Sequence, residues 1–158
     1  GLDSMVFGAA IAAEAEQQAW LEDALAGADG RRIAVFTHRP LWIERPEEPD
    51  TGYWSVKPAQ RRALLDLFGR HGVALVATGH LHRSHDTTHG GCRYIWGAAS
   101  GFLVGPACAP PLPGEARLGA VIYDFEAAEV RITRTEVPGL SDFWIDDVVH
   151  EVYPPPPG

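Results

Sequence analysis

Three histidines, His38, His80 and His82, are the residues of this chain whose types and spacing could do chemistry. Each stands just past a short apolar run. Ile33-Ala34-Val35-Phe36-Thr37 leads into His38, and Val73-Ala74-Leu75-Val76-Ala77 leads into Thr78-Gly79-His80-Leu81-His82. Runs of this length, with β-branched residues and a closing turn signal, read as buried strands. Neutral imidazole is the commonest protein metal ligand. Sites in open α/β sheets lie at the carboxyl edge of the strands. An isolated His-x-His is weak evidence, because many loops hold one. The second strand end, carrying His38, makes the three together a candidate metal-ligating set.

The elements that must position these histidines follow from periodicity. Residues 2–8 read as a short strand entering a turn at Gly8. Glu14 to Ala26 reads as an amphipathic helix with Trp20, Leu21, Ala24 and Leu25 on its inner face, and 31–37 as the first buried strand. A proline-bearing loop over 38–57 contains Trp42, Tyr53 and Trp54, aromatics that predict an ordered loop. Pro58 opens a helix running to about Arg70, with Leu64, Leu65 and Phe68 inward and Gly72 past its end. Strands are expected at 73–78 and 92–96, then an antiparallel hairpin from 118–124 and 130–136. Helix alternating with strand, closing in antiparallel strands, indicates an α/β layered domain.

The composition is ordinary for a globular domain: 158 residues, 46% apolar and 22% charged. A net charge of −8 argues against non-specific nucleic-acid binding, which needs a basic surface. It leaves phosphate substrates open, because bound divalent metals invert the local field. No apolar stretch is long enough for a membrane segment, and no leader pattern is visible at the N-terminus; the compartment stays open, with the cytoplasm favoured. Cys92 and Cys108 lack zinc-motif spacing and read as free thiols.

Thr37-His38-Arg39-Pro40 followed by Gly79-His80-Leu81-His82 resembles the C-terminal half of the calcineurin-like metallophosphoesterases. Leu2-Asp3-Ser4 and Gln17-Gln18-Ala19-Trp20-Leu21 resemble the segment that precedes those motifs, so the resemblance covers about residues 1 to 105. It implies the second half of a layered α/β/β/α sandwich: a partial domain over 1–150, then a Pro-rich tail over 151–158. It also implies two divalent ions, Mn, Fe or Zn, held roughly 3.5–4 Å apart. His38 and His80 would bind one ion and His82 the other. The implied activity is hydrolysis of phosphate mono- or diesters, as a phosphatase or phosphodiesterase, by metal-activated hydroxide.

The family's upstream blocks, an Asp-x-His, a Gly-Asp and a Gly-Asn-His-Asp or -Glu, are absent from this sequence. They carry the bridging carboxylate, an asparagine ligand and the histidine that serves the leaving group. The resemblance therefore assigns no catalytic residue here and implies a fragment, cut from a longer chain and inactive alone. Its partners would be a small phosphorylated substrate and the missing N-terminal half, with self-association through uncovered strand edges. Arg39, Tyr53 and Trp54 are candidate substrate contacts, although a surface salt bridge is the ordinary role for Arg39. Two other readings stay open. One is a non-catalytic binding or scaffold module. The other is a mononuclear hydrolase using the three histidines with Asp50 or Asp86. Of the remaining histidines, His71 reads as a helix end, His85 and His89 as loop residues, and His150 as solvated. Gly97 to Gly101 reads as a close-packing stretch and not a nucleotide loop.

Overall fold

The computed structural model describes residues 1–152. The chain divides into two compact units, Gly1–His80 with Asp86–Trp96, and Leu81–His85 with Gly97–Gly158.

The first unit is built on a sheet. Strands β1 (Ile33–Thr37), β2 (Val73–Thr78), β3 (His85–His89) and β4 (Cys92–Trp96) lie in the order β1-β2-β4-β3. β1 and β2 are parallel, with Val35 opposite Val76 and Thr37 opposite Thr78; β2 and β4 are parallel, with Val76 opposite Tyr94. The alternation of a strand puts Val35, Val76 and Tyr94 on one face. There they join a core with Leu21 and Leu25 of helix α1 (Ala12–Ala26) and Leu64, Leu67 and Phe68 of helix α2 (Pro58–His71). Each such buried side chain contributes about 1.5–3 kcal/mol. Leu75, Ala77 and Ile95, on the opposite face, are buried as well, so β2 and β4 carry apolar residues on both faces.

Local chemistry sets the boundaries. Pro58 supplies the first helical residue of α2, and Gly72 closes it at φ 64°, a left-handed turn that a side chain resists. The helix α1 has no side-chain cap at Ile11; Glu14 reaches back instead and accepts the amides of Gly8 and Ala10. His71 does end α2, as its position predicted.

Three expectations need correction. Residues 2–8 form no strand: only Leu2 bridges to Thr37, and turns follow, tied by the amide of Met5 donating to Asp3. Trp20 is 53% exposed, because the packed face of α1 centres on Leu21 and Leu25. His85 to His89 is a strand and not a loop. Its sequence His-Asp-Thr-Thr-His carries no apolar alternation because β3 is the sheet's edge, and Gly90-Gly91 turns the chain back into β4.

The second unit contains an antiparallel pair, β5 (Ala120–Phe125) and β6 (Val130–Thr135), as the alternation predicted. Isolated bridges join Ser84 to Glu115 and Ala99 to Leu118. Asp146 accepts the amides of Gly105 and Ala107, at 2.7 and 2.8 Å, and so ties two segments of this unit. Residues 149–152 form a short helix in which His150 is exposed; residues 153–158, the Pro-rich stretch, lie outside the described residues. Among the described residues no helix is long and apolar enough to cross a membrane, and both cysteines are free thiols.

Candidate metal centre

The parallel register decides where the first two histidines go. Thr37 and Thr78 are opposite one another at the last rung of β1 and β2, so His38 and Gly79 leave the sheet side by side. The amide of Gly79 donates to the carbonyl of His38 at 3.1 Å, which extends the ladder one step past the strands. His80 then turns back with φ 69°, a left-handed conformation. Its ring lies 4.7 Å from that of His38, edge on, and its Nδ1 stands 3.0 Å from the Nε2 of His38.

The other nitrogen of His80 fixes the tautomer. Nε2 lies 3.0 Å from the carbonyl oxygen of Tyr53, and a carbonyl only accepts. Nε2 therefore carries a proton, and in the neutral ring the lone pair is on Nδ1, toward His38. A backbone carbonyl behind a ring nitrogen is the usual support of a metal-ligating histidine. One proton, or one cation in its place, can bridge the facing lone pairs. Two nitrogens each about 2.1 Å from a single ion lie about 3.0–3.4 Å apart for right-angled to tetrahedral geometry. The observed separation fits two ligands of one ion.

His82, in the second unit, is oriented by the same device. Its Nδ1 lies 2.7 Å from the carbonyl oxygen of Phe102, and its ring lies 4.3 Å from the Phe102 ring. In the neutral ring Nε2 then has the lone pair. Its backbone, too, is left-handed, at φ 53°. Non-glycine residues in this region cost about 1–3 kcal/mol each and gather at functional sites; two of them alternate here within one motif.

The loop over 38–57 is ordered by polar groups more than by its aromatics. Arg61 of α2, fully buried, donates to the carbonyls of Pro46 and Glu48 at 2.9 Å each and to that of Val56 at 3.1 Å. The buried Glu48 carboxylate accepts the amides of Ile43 and Glu44 at 2.7 and 2.8 Å. The amide of Val56 donates to the carbonyl of Pro40 at 3.0 Å and closes the loop's neck. Trp42 is a core residue beside Tyr94, with ring centroids 4.3 Å apart. Tyr53 and Trp54 instead lie by His80, at 4.6 and 6.0 Å between ring centroids.

Arg39 forms no ion pair among the described residues, contrary to the ordinary expectation. Its guanidinium carbon lies 5.0 Å from the centroid of the Tyr53 ring, and its Nε is buried without an acceptor. Asp50 accepts the amide of Gly52 at 2.8 Å, and Asp86 pairs with Arg93. His85 and His89 sit at the two ends of an extended strand, and His89 packs against Trp42 at 5.8 Å. Among the described residues no group of three His, Cys, Asp or Glu is gathered for a metal ion. The first unit brings two of the three histidines together, His38 and His80. The carbonyls of Tyr53 and Phe102, and the Arg61–Glu48 staple, have no signature of residue type at a fixed spacing and were not legible.

No protein-family model matches the chain. Over 91 residues, 56% of its length, it is 34% identical to a Danio rerio protein named serine/threonine-protein phosphatase CPPED1. Over 92 residues it is 33% identical to the Homo sapiens protein of the same name. The chain is similar to named protein phosphatases. It spans 29% of the length of these curated relatives. A solved structure titled "GAP50 the anchor in the inner membrane complex of Plasmodium" is similar in fold, with a TM-score of 0.66 over 89% of this chain and 45% of that one. At 14% sequence identity that likeness is one of α/β fold.

Proposed function

We propose that this chain carries the strand-end half of the metal centre of a binuclear phosphoesterase. The observation that carries the reading is the His38–His80 pair, with facing nitrogens 3.0 Å apart and the His80 tautomer held by the Tyr53 carbonyl. The names of the relatives, serine/threonine-protein phosphatases, support the same class of chemistry.

In this reading His38 and His80 hold one divalent ion, Mn, Fe or Zn, and His82 belongs to a second. Such ions supply Lewis-acid stabilisation of the phosphoryl group and lower the pKa of bound water. The chain's own residues orient. The Tyr53 and Phe102 carbonyls orient the rings of His80 and His82, and the backbone is left-handed at both positions. The remaining ligands, an anionic bridging group among them, come from a complementary segment. The chain alone should therefore bind metal weakly and hydrolyse esters negligibly.

Calorimetric titration with Mn²⁺ tests this on the chain and three variants. His38→Ala and His80→Ala should each weaken binding by an order of magnitude or more, and His85→Ala by a few-fold at most. Equal losses in His80→Ala and His85→Ala would place the cation elsewhere.

A further inference from the structure

We propose that Arg39 is a preassembled contact for phosphoryl oxygens beside the His38–His80 pair, and that it selects dianionic phosphomonoesters over monoanionic diesters. The assignment rests on the phosphoesterase reading of that edge and adds to it the charge class of the substrate.

Arg39 is fixed at both ends. Its amide donates to the Oγ of Ser4 at 2.8 Å, and Ser4 is itself buried. Its guanidinium carbon lies 5.0 Å from the Tyr53 ring centroid, a cation–π contact. Tyr53 also stands 4.6 Å from the His80 ring and holds His80 through its carbonyl. One residue thus seats both the guanidinium and the imidazole.

The charge is held but not neutralised. This chain has 21 acidic residues against 13 basic ones. Arg61, Arg93, Arg117 and Arg131 each meet a carboxylate. Arg39, like Arg31 and Arg83, meets none among the described residues; those two donate through Nε to a backbone carbonyl, whereas the Nε of Arg39 is buried and without an acceptor. A structural arginine avoids that cost by pairing, because an unsatisfied buried donor is destabilising. A ring face attracts the cation without occupying its N–H fork. The fork is the geometry that matches two oxygens of a phosphate. A monoester at pH above about 6 carries a second negative charge for this group to meet, whereas a diester carries one charge and has lost an oxygen to the second ester bond.

The test uses the chain with Mn²⁺ at about pH 8, where phosphomonoesters are dianions, and two probes, methyl phosphate and dimethyl phosphate, titrated by calorimetry. Arg39→Gln should weaken methyl phosphate binding by about tenfold or more and dimethyl phosphate by no more than a few-fold. Arg39→Lys, which keeps the charge and loses the fork, should recover part of the loss, and this guards against a folding defect in the glutamine variant. Tyr53→Leu should weaken methyl phosphate in the same direction. Mn²⁺ affinity, titrated alone, should be unchanged by Arg39→Gln. Unchanged methyl phosphate binding in Arg39→Gln, equal losses for both probes, or no methyl phosphate binding by the unaltered chain would each overturn the assignment. Loss of Mn²⁺ binding in the unaltered chain, with Arg39-dependent binding of methyl phosphate retained, would instead overturn the metal reading and leave the oxyanion contact standing.

Discussion

At His80 and His82 the backbone is left-handed, with φ 69° and 53°, where a Cβ crowds the following carbonyl. Glycine is the residue that relieves this crowding, so the fold by itself would place glycine there. His80→Gly should therefore unfold at higher denaturant than His80→Ala, by about 1–2 kcal/mol, although both remove the same ring and the same bond to Tyr53. Parallel urea melts of the two variants check this; equal stability would mean that the conformation is not strained. The three histidines stand out in the sequence because a ligand type follows two apolar runs, and the structure brings His38 and His80 together. The strain was not legible, since the motif's own glycine is Gly79 and the positive φ values fall on its histidine neighbours. Nor were the supporting carbonyls of Tyr53 and Phe102, because a backbone acceptor leaves no mark in a sequence.

At the scale of elements, β1, β2, β4 and both long helices were readable from their periodicity, and β3 was missed because an edge strand made of His, Asp and Thr has no apolar face to reveal it. The loop over 38–57 was expected to be ordered by aromatics, yet its internal frame is Arg61 with Glu48. A lone arginine in a helix otherwise reads as solvent-facing, and nothing short of the tertiary structure shows it swallowing three loop carbonyls. Removing it leaves those carbonyls and the Glu48 charge buried. Arg61→Ala should destabilise the chain by about 3–5 kcal/mol and weaken Mn²⁺ binding through the freed Tyr53 carbonyl; denaturation melts and a metal titration on the same variant check both.

A second element, β4, predicts the response to alkali. Burial pushes the Cys92 thiol up to about 11 and the Tyr94 hydroxyl upward as well. A group whose folded pKa is raised keeps its proton longer in the folded chain, so the stability it contributes is intact below the unfolded value. It is lost as pH rises from about 9 toward about 11. Stability should fall over that window, and Cys92→Ala should flatten the fall; melts at stepped pH would show no such slope if the thiol were exposed. In acid a different carboxylate matters. Burial alone would raise Asp146, but the amides of Gly105 and Ala107 hold it below the usual range, so its contribution is lost as pH falls through the carboxylate region.

For the molecule as a whole, the α/β class and the antiparallel ending were legible from the alternation of patterns, and the division into two compact units was not, because the break falls inside the motif, between His80 and Leu81. A boundary that splits Gly79-His80-Leu81-His82 carries no linker composition to announce it. At the end of its sheet, β1 is met by Leu2 alone among the isolated bridges, and Phe36 on it is 42% exposed. An edge of this kind templates further pairing, so sedimentation of the chain should depend on concentration; a monomer at every concentration would count against an open edge.

The central claim is that His38 and His80 share one cation. Paramagnetic broadening of the histidine ring signals by Mn²⁺ reports this directly, even for weak binding, and resolves each of the seven histidines. His38 and His80 should broaden together at the lowest metal concentration, ahead of His71, His89 and His150. Broadening that begins at His85 and His89, or that reaches all seven at once, would contradict it.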